Sequence, residues 1–119
     1  MLNPVPETIR LRKAEKTLVV KFKDGPEYTL PAELLRVESP SAEVQGHSPS
    51  QRKIVAGRRH VGIMEVQPVG NYAVRLIFDD LHDSGIYSWN YLFELGRDQK
   101  KRWQEYFAAL ESNGLSREP

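Results

Sequence analysis

The chain predicts an α+β domain: a small, mostly antiparallel β-sheet built from two hairpin–helix repeats, with a C-terminal helix after them. Three observations predict it. One local design occurs twice, over residues 17–36 and 72–93: a β-rich run ending in Phe, an acidic tight turn, a short second strand, then a helix carrying adjacent apolar residues. Apolar residues alternate in the first runs and recur at helical spacing near the C-terminus. Clusters of Gly, Pro, Ser and Asp punctuate the segments between.

Taken in order, Pro4 and Pro6 keep the first residues extended. Residues 9–13 alternate apolar and basic, the pattern of a strand with one wet face, and residues 14–16 turn the chain. In the run that follows, Leu18, Val20 and Phe22 share one face. Asp24-Gly25 signals a hairpin, with Gly25 supplying the positive φ, and Pro26 opposes further ladder pairing there. Residues 27–30 return as a short strand, and Pro31 suits the first turn of a helix to about Arg36. The stretch 39–62 is dense in breakers and reads as a long connection.

Strand character resumes over residues 60–68, and Val69-Gly-Asn71 turns into the second copy. Its turn is two residues longer than the first and holds His82. Trp89, Leu92, Phe93 and Leu95 line one face of the next helix, with Gly96 placed to cap its C-terminus. Asp98 is placed to cap a last helix whose Trp103, Tyr106, Phe107 and Leu110 recur at core spacing. Asn113-Gly114 stops it. The expected organisation is an extended segment over 1–8, one domain over 9–112 and a flexible tail over 113–119.

A chain of 119 residues is long enough for one core without metal or disulfide staples. The absence of cysteine excludes disulfides, thiolate zinc sites, Cys-ligated clusters and a Cys nucleophile. No apolar run is long enough to span a bilayer, and the N-terminus shows no secretory pattern, so a cytoplasmic location is expected. Net charge near +1 gives no global attraction to nucleic acid or membrane.

Two constellations could carry chemistry. His82 stands among Asp79, Asp80 and Asp83, so a weak divalent-metal site would use His82 with His47, Asp80 or Asp83. Against it, Asp in turns commonly serves only to satisfy local N–H groups. The basic stretch 52–60, with Arg52, Lys53, Arg58, Arg59 and His60, could hold nucleic acid or phosphate. It lacks interleaved aromatics and a phosphate loop, which makes nucleic acid the weaker expectation. There is no nucleophile elbow, so no catalytic residue is assigned and the chain is not read as an enzyme. Tyr87 and Tyr91, offset from the apolar helix face, are candidates for an exposed recognition surface.

The strings Leu34-Leu-Arg36, Ser39-Pro-Ser-Ala-Glu-Val-Gln-Gly-His47, Val69-Gly-Asn-Tyr-Ala-Val74 and Phe78-Asp-Asp-x-His82-x-Ser-Gly-Ile-Tyr-Ser-Trp89-x-Tyr-Leu92 resemble the gamma-butyrobetaine hydroxylase N-terminal-like domain, including stand-alone bacterial members. In two-domain hydroxylases the resemblance implies a zinc site of three cysteines and a histidine, together with dimer contacts. Those ligand positions fall here on Ser39, Ser41, Val44 and His82, so only the histidine is retained. The resemblance therefore implies neither zinc nor hydroxylation for this chain. Similar domains fused to ATPases that carry iron–sulfur clusters imply an accessory role near metal or cluster handling.

The expected function is a non-catalytic binding or accessory domain for a protein partner, with no resident cofactor, no membrane association and a homodimer as the implied assembly. Arg36, His47, Arg58, Arg59, Tyr87 and Tyr91 are the candidate partner-binding residues, beside His82 and a supporting Trp89.

Overall fold

The computed structural model describes residues 3–46 and 52–119. Ten elements follow one another: β1 (Pro6–Arg12), β2 (Thr17–Phe22), β3 (Glu27–Pro31), α1 (Ala32–Val37), α2 (Ala42–Gln45), β4 (Ile63–Val69), β5 (Ala73–Phe78), β6 (Ile86–Ser88), α3 (Trp89–Arg97) and α4 (Gln99–Ser112). The α+β class and the doubled hairpin–helix design are both present. The six strands divide into two three-stranded antiparallel sheets, ordered β1-β2-β3 and β4-β5-β6, so each repeat builds a sheet of its own.

The correspondence of the two copies extends to local irregularity. In each sheet the register shifts in the first strand, between Pro6 and Thr8 and between Ile63 and Glu65. Each shift lies beside the Phe that ends the central strand: Pro6 pairs with Phe22 and Ile63 with Phe78. Both phenylalanines are fully buried. Leu18, Val20 and Phe22 from one sheet meet Val74, Leu76 and Phe78 from the other in a single core, joined by Leu35, Leu92 and Leu95 from the helices. Burial of apolar area on this scale is the main favourable term in folding, at about 25 cal/mol per Å².

Several local expectations are corrected. At the first hairpin Asp24, not Gly25, takes the left-handed conformation, with φ of 49°. Asp tolerates it because its short polar side chain can hydrogen-bond locally. Strand β1 begins at Pro6, inside the segment expected to precede the domain. Gly96 lies within α3, which runs on to Arg97, rather than capping it; its missing side chain makes room for Tyr28, since a Cβ there would stand 2.1 Å from Tyr28 Cδ2. Asp98 occupies the N-cap of α4 but its carboxylate pairs with Arg97, at 2.9 and 3.0 Å, and makes no capping bond. Phe107, expected in the core, is 42% exposed.

Helix α4 ends as expected. Gly114 takes φ of 63°, while Leu115 N–H donates to Leu110 O and Gly114 N–H to Glu111 O, a Schellman closure. Beyond it the chain, expected as a loose tail, lies against residues 57–59. Gly57 N–H donates to Ser116 O and Arg59 N–H to Arg117 O. Arg117 then makes a bidentate pair with the buried Glu33 of α1. Charged residues hid this contact from a hydropathy reading.

Candidate functional site

The turn joining β5 to β6 and the corner between α1 and α2 meet over His82. Ser39 follows α1, Ser41 is the N-cap of α2, and both are buried with His82. Ser39 Oγ lies 2.9 Å from His82 Nε2, and Ser41 Oγ lies 3.4 Å from it and 3.1 Å from Ser39 Oγ. On the other side of the ring, Nδ1 stands 3.3 Å from Glu43 Oε2. A carboxylate beside Nδ1 favours the tautomer protonated on that nitrogen, in which Nε2 is the acceptor facing Ser39. Burial lowers the His82 pKa and the Arg36 charge lowers it further, against the opposing pull of Glu43, Asp80 and Asp83.

Asp80 braces the same turn. Its Oδ1 accepts from the His82 amide at 3.1 Å, and its Oδ2 receives Arg36 Nε at 2.8 Å. Arg58 Nε stands 2.7 Å from that same oxygen. Partial burial alone would raise the Asp80 pKa, but the His82 amide, Arg36 and Arg58 outweigh it and hold the carboxyl below its ordinary range. Closing the turn, Phe78 N–H donates to His82 O and Leu81 N–H to Phe78 O, each at 3.0 Å. Leu81 at the apex has φ of 72° and is 80% exposed.

Gly85 permits this close approach. A Cβ there would come within 2.7 Å of Ser39 Oγ and 2.9 Å of the Tyr87 ring. Tyr87 is fully buried and its hydroxyl donates to Leu35 O, so the expectation of an exposed Tyr87 is corrected. Its place on β6, opposite Val74, turns it into the core. Tyr91 is half-buried and donates to Glu38 O, with Arg102 over its ring at 5.5 Å. Burial raises both phenol pKa values.

Arg36, also expected to face a partner, is buried against Asp80. The three arginines of the 52–60 stretch each meet a carboxylate: Arg52 with Glu38, Arg58 with Asp80, and Arg59 with Glu118 at 2.6 Å. Trp89 is half-buried against the core and donates from Nε1 to Asn71 O, the supporting role expected of it. His47 lies outside the described residues, and with it the proposed meeting of His47 and His82. Asp83 is exposed.

Three of the four positions implied by the resemblance as zinc ligands therefore converge, as hydroxyls and an imidazole. The donor set does not fit zinc. Ser39 and Ser41 carry neutral hydroxyls hydrogen-bonded within the cluster, and the buried Val44 side chain has no donor atom. Among the described residues no group of three or more His, Asp or Glu could hold a metal ion. The order Glu43–His82–Ser39 matches a base-assisted serine in connectivity, yet Ser39 is fully buried beneath Gly85. Sequence reading missed Glu43 and Leu81. A lone leucine inside an acidic turn was the available signal for the second.

Comparison with known proteins adds a family. The model described as Gamma-butyrobetaine hydroxylase-like, N-terminal matches residues 9–93. Two solution NMR structures are similar at 47% and 43% identity, covering 98% and 99% of this chain and 92% and 88% of theirs, each with a TM-score of 0.85. A crystal structure from Acidithiobacillus ferrooxidans ATCC 23270, of a protein of unknown function in the DUF971 family, is 41% identical. It covers 76% of this chain and 91% of its own, with a TM-score of 0.65. No curated protein matches. Among the described residues, no helix is long and apolar enough to cross a membrane.

Proposed function

The chain belongs to the gamma-butyrobetaine hydroxylase-like N-terminal family, and from that premise we propose a non-catalytic accessory domain that recognises a protein partner through the turn between β5 and β6. The observation that carries this reading is Leu81. A branched side chain in the left-handed region costs on the order of 1 kcal/mol, and such strain persists where surrounding structure over-determines it. Here the surroundings are Asp80, gripped by Arg36 and Arg58, and His82, gripped by Ser39 and Glu43. The result is an apolar side chain, 80% exposed, on a braced apex. Exposed there, Leu81 gains little from folding; buried against a partner it would contribute about 1.5–3 kcal/mol.

In this reading the Ser39–Ser41–His82–Glu43 cluster is a brace for the turn rather than a reaction centre. Arg59, exposed beside the turn's support, contributes to the rim, while Arg36 and Tyr87 hold the scaffold. The setting is cytoplasmic, and an ATPase carrying an iron–sulfur cluster is the first partner class to try.

A photo-crosslinking residue at position 81, with position 10 on exposed β1 as control, tests the reading in cells. One dominant protein adduct at position 81, lost when Asp80→Ala unbraces the turn, is the expected result. Equal labelling at the two positions would overturn it.

A further inference from the structure

Helix α4 leaves an open groove of about 610 Å³ beside the tail of the chain, lined by Gln99, Lys100, Trp103, Gln104, Phe107 and Arg117. Its floor is two aromatic rings, Trp103 and Phe107, stacked at 5.3 Å between centroids with 24° between planes. The Arg117 guanidinium lies 5.7 Å from the first ring and 5.2 Å from the second, fixed there by Glu33. Both charged groups lining the groove are cationic, and no carboxylate lines it. The family match ends at residue 93, so this groove is built by elements outside the matched module.

The turn carrying Leu81 is its chemical complement. Leu81 stands between Asp79 and Asp83, both exposed. Neither takes part in the ion pairs of the described residues, where Asp80 alone of the three is paired. An apolar knob flanked by carboxylates unpaired among the described residues thus exists on the same molecule as an aromatic groove rimmed by Lys100 and by Arg117, whose Nε and one terminal nitrogen already meet Glu33. Turn and groove are linked through a short span: Arg58 meets Asp80, and the next residue's amide donates to Arg117 O.

We propose that this groove is the docking site for a second copy of the chain, which inserts its Leu81 turn over Trp103 and Phe107 with Asp79 and Asp83 facing Lys100 and Arg117. A two-fold axis closes the arrangement, each copy giving one turn and one groove. This deepens the preceding reading by naming a partner for the same turn, and it rests on that turn being a recognition element. Aromatic and arginine side chains are the residue types that dominate interface energetics, and opposite charges around them fix register and steer approach.

Sedimentation velocity of the full chain tests it, at concentrations from about 5 μM to about 1 mM, a range that spans dissociation constants of weak dimers. A dimer is expected that weakens as salt rises, because its rim charges are solvent-exposed. Leu81→Glu and Lys100→Glu should each weaken association by about tenfold or more. Combining Lys100→Glu with Asp83→Lys should restore it to within about threefold, since the swapped charges meet across the axis. Amide NMR spectra of each variant establish that it is folded. A chain that stays monomeric throughout, or a dimer indifferent to Leu81→Glu and Lys100→Glu, overturns the proposal. A monomer that still yields one dominant foreign adduct at position 81 overturns only the self-docking. A monomer with no preferential adduct there overturns the recognition turn as well.

Discussion

Ser39 Oγ and His82 Nε2 meet at 2.9 Å across 43 positions of sequence, tying the corner after α1 to the turn between β5 and β6. Ser39 is fully buried and His82 nearly so, so the contact fixes the turn against that corner. Replacing one member loosens the other. His82→Ala takes the imidazole from the buried Ser39 hydroxyl, leaving it Ser41 alone at 3.1 Å, and should cost about 1–3 kcal/mol. Ser39→Ala should cost about 1–2 kcal/mol on the same grounds. Urea unfolding of both single variants and the double variant checks this, with a coupling of at least about 0.5 kcal/mol expected for groups in contact.

Acid should loosen the same brace in two stages. His82 has a folded-state pKa below its ordinary 6.5, chiefly from burial. As pH falls below that value the unfolded chain takes up the proton first, so stability is full above it and declines as pH falls towards the folded-state pKa. Asp80, held below its ordinary 3.8, adds a second loss at more acidic pH. Unfolding midpoints across this range should show the first decline, and His82→Gln should abolish it while sparing the second.

Gly96→Ala should reverse sign with its neighbour. Inside a helix this change normally stabilises by about 1 kcal/mol. Here the new Cβ would meet the Tyr28 ring at 2.1 Å, so overpacking should destabilise by about 1–3 kcal/mol. In a Tyr28→Ala background the obstacle is gone, and the same substitution should become neutral or stabilising. Thermal unfolding of the four proteins measures both signs.

The tail should contribute through one ion pair and not the other. Arg117 pairs with Glu33, whose side chain is only 6% exposed, whereas Arg59 and Glu118 are about half exposed. Arg117→Ala leaves a buried carboxylate unpaired and should cost about 1–3 kcal/mol. Arg59→Ala should change stability by less than about 1 kcal/mol. Denaturant titration of the two variants makes the comparison.

The repeat was legible because its signals are local. Alternation over Leu18, Val20 and Phe22, the Asp24-Gly25 turn and the helical spacing of Trp89, Leu92 and Phe93 each depend on neighbours in sequence. The division into two sheets was not, since strand pairing between repeats leaves no local mark. Tyr87 misled for a related reason. Its offset from the α3 face suggested exposure, but it belongs to β6, where alternation turns it inward beneath Leu35. At the site, three of the ligand positions implied by resemblance, Ser39, Ser41 and His82, are residues that meet in the structure. Glu43 and the Arg36–Asp80–Arg58 brace stayed hidden, because ion pairs across 44 positions carry no periodicity.

The brace itself can be read directly from the His82 ring by long-range proton–nitrogen NMR near neutral pH. A neutral imidazole with its proton on Nδ1, its Nε2 accepting from Ser39 and its resonances unmoved by equimolar zinc is the predicted result. A proton on Nε2, or an Nε2 resonance that moves to a metal-bound position when zinc is added, would contradict the account.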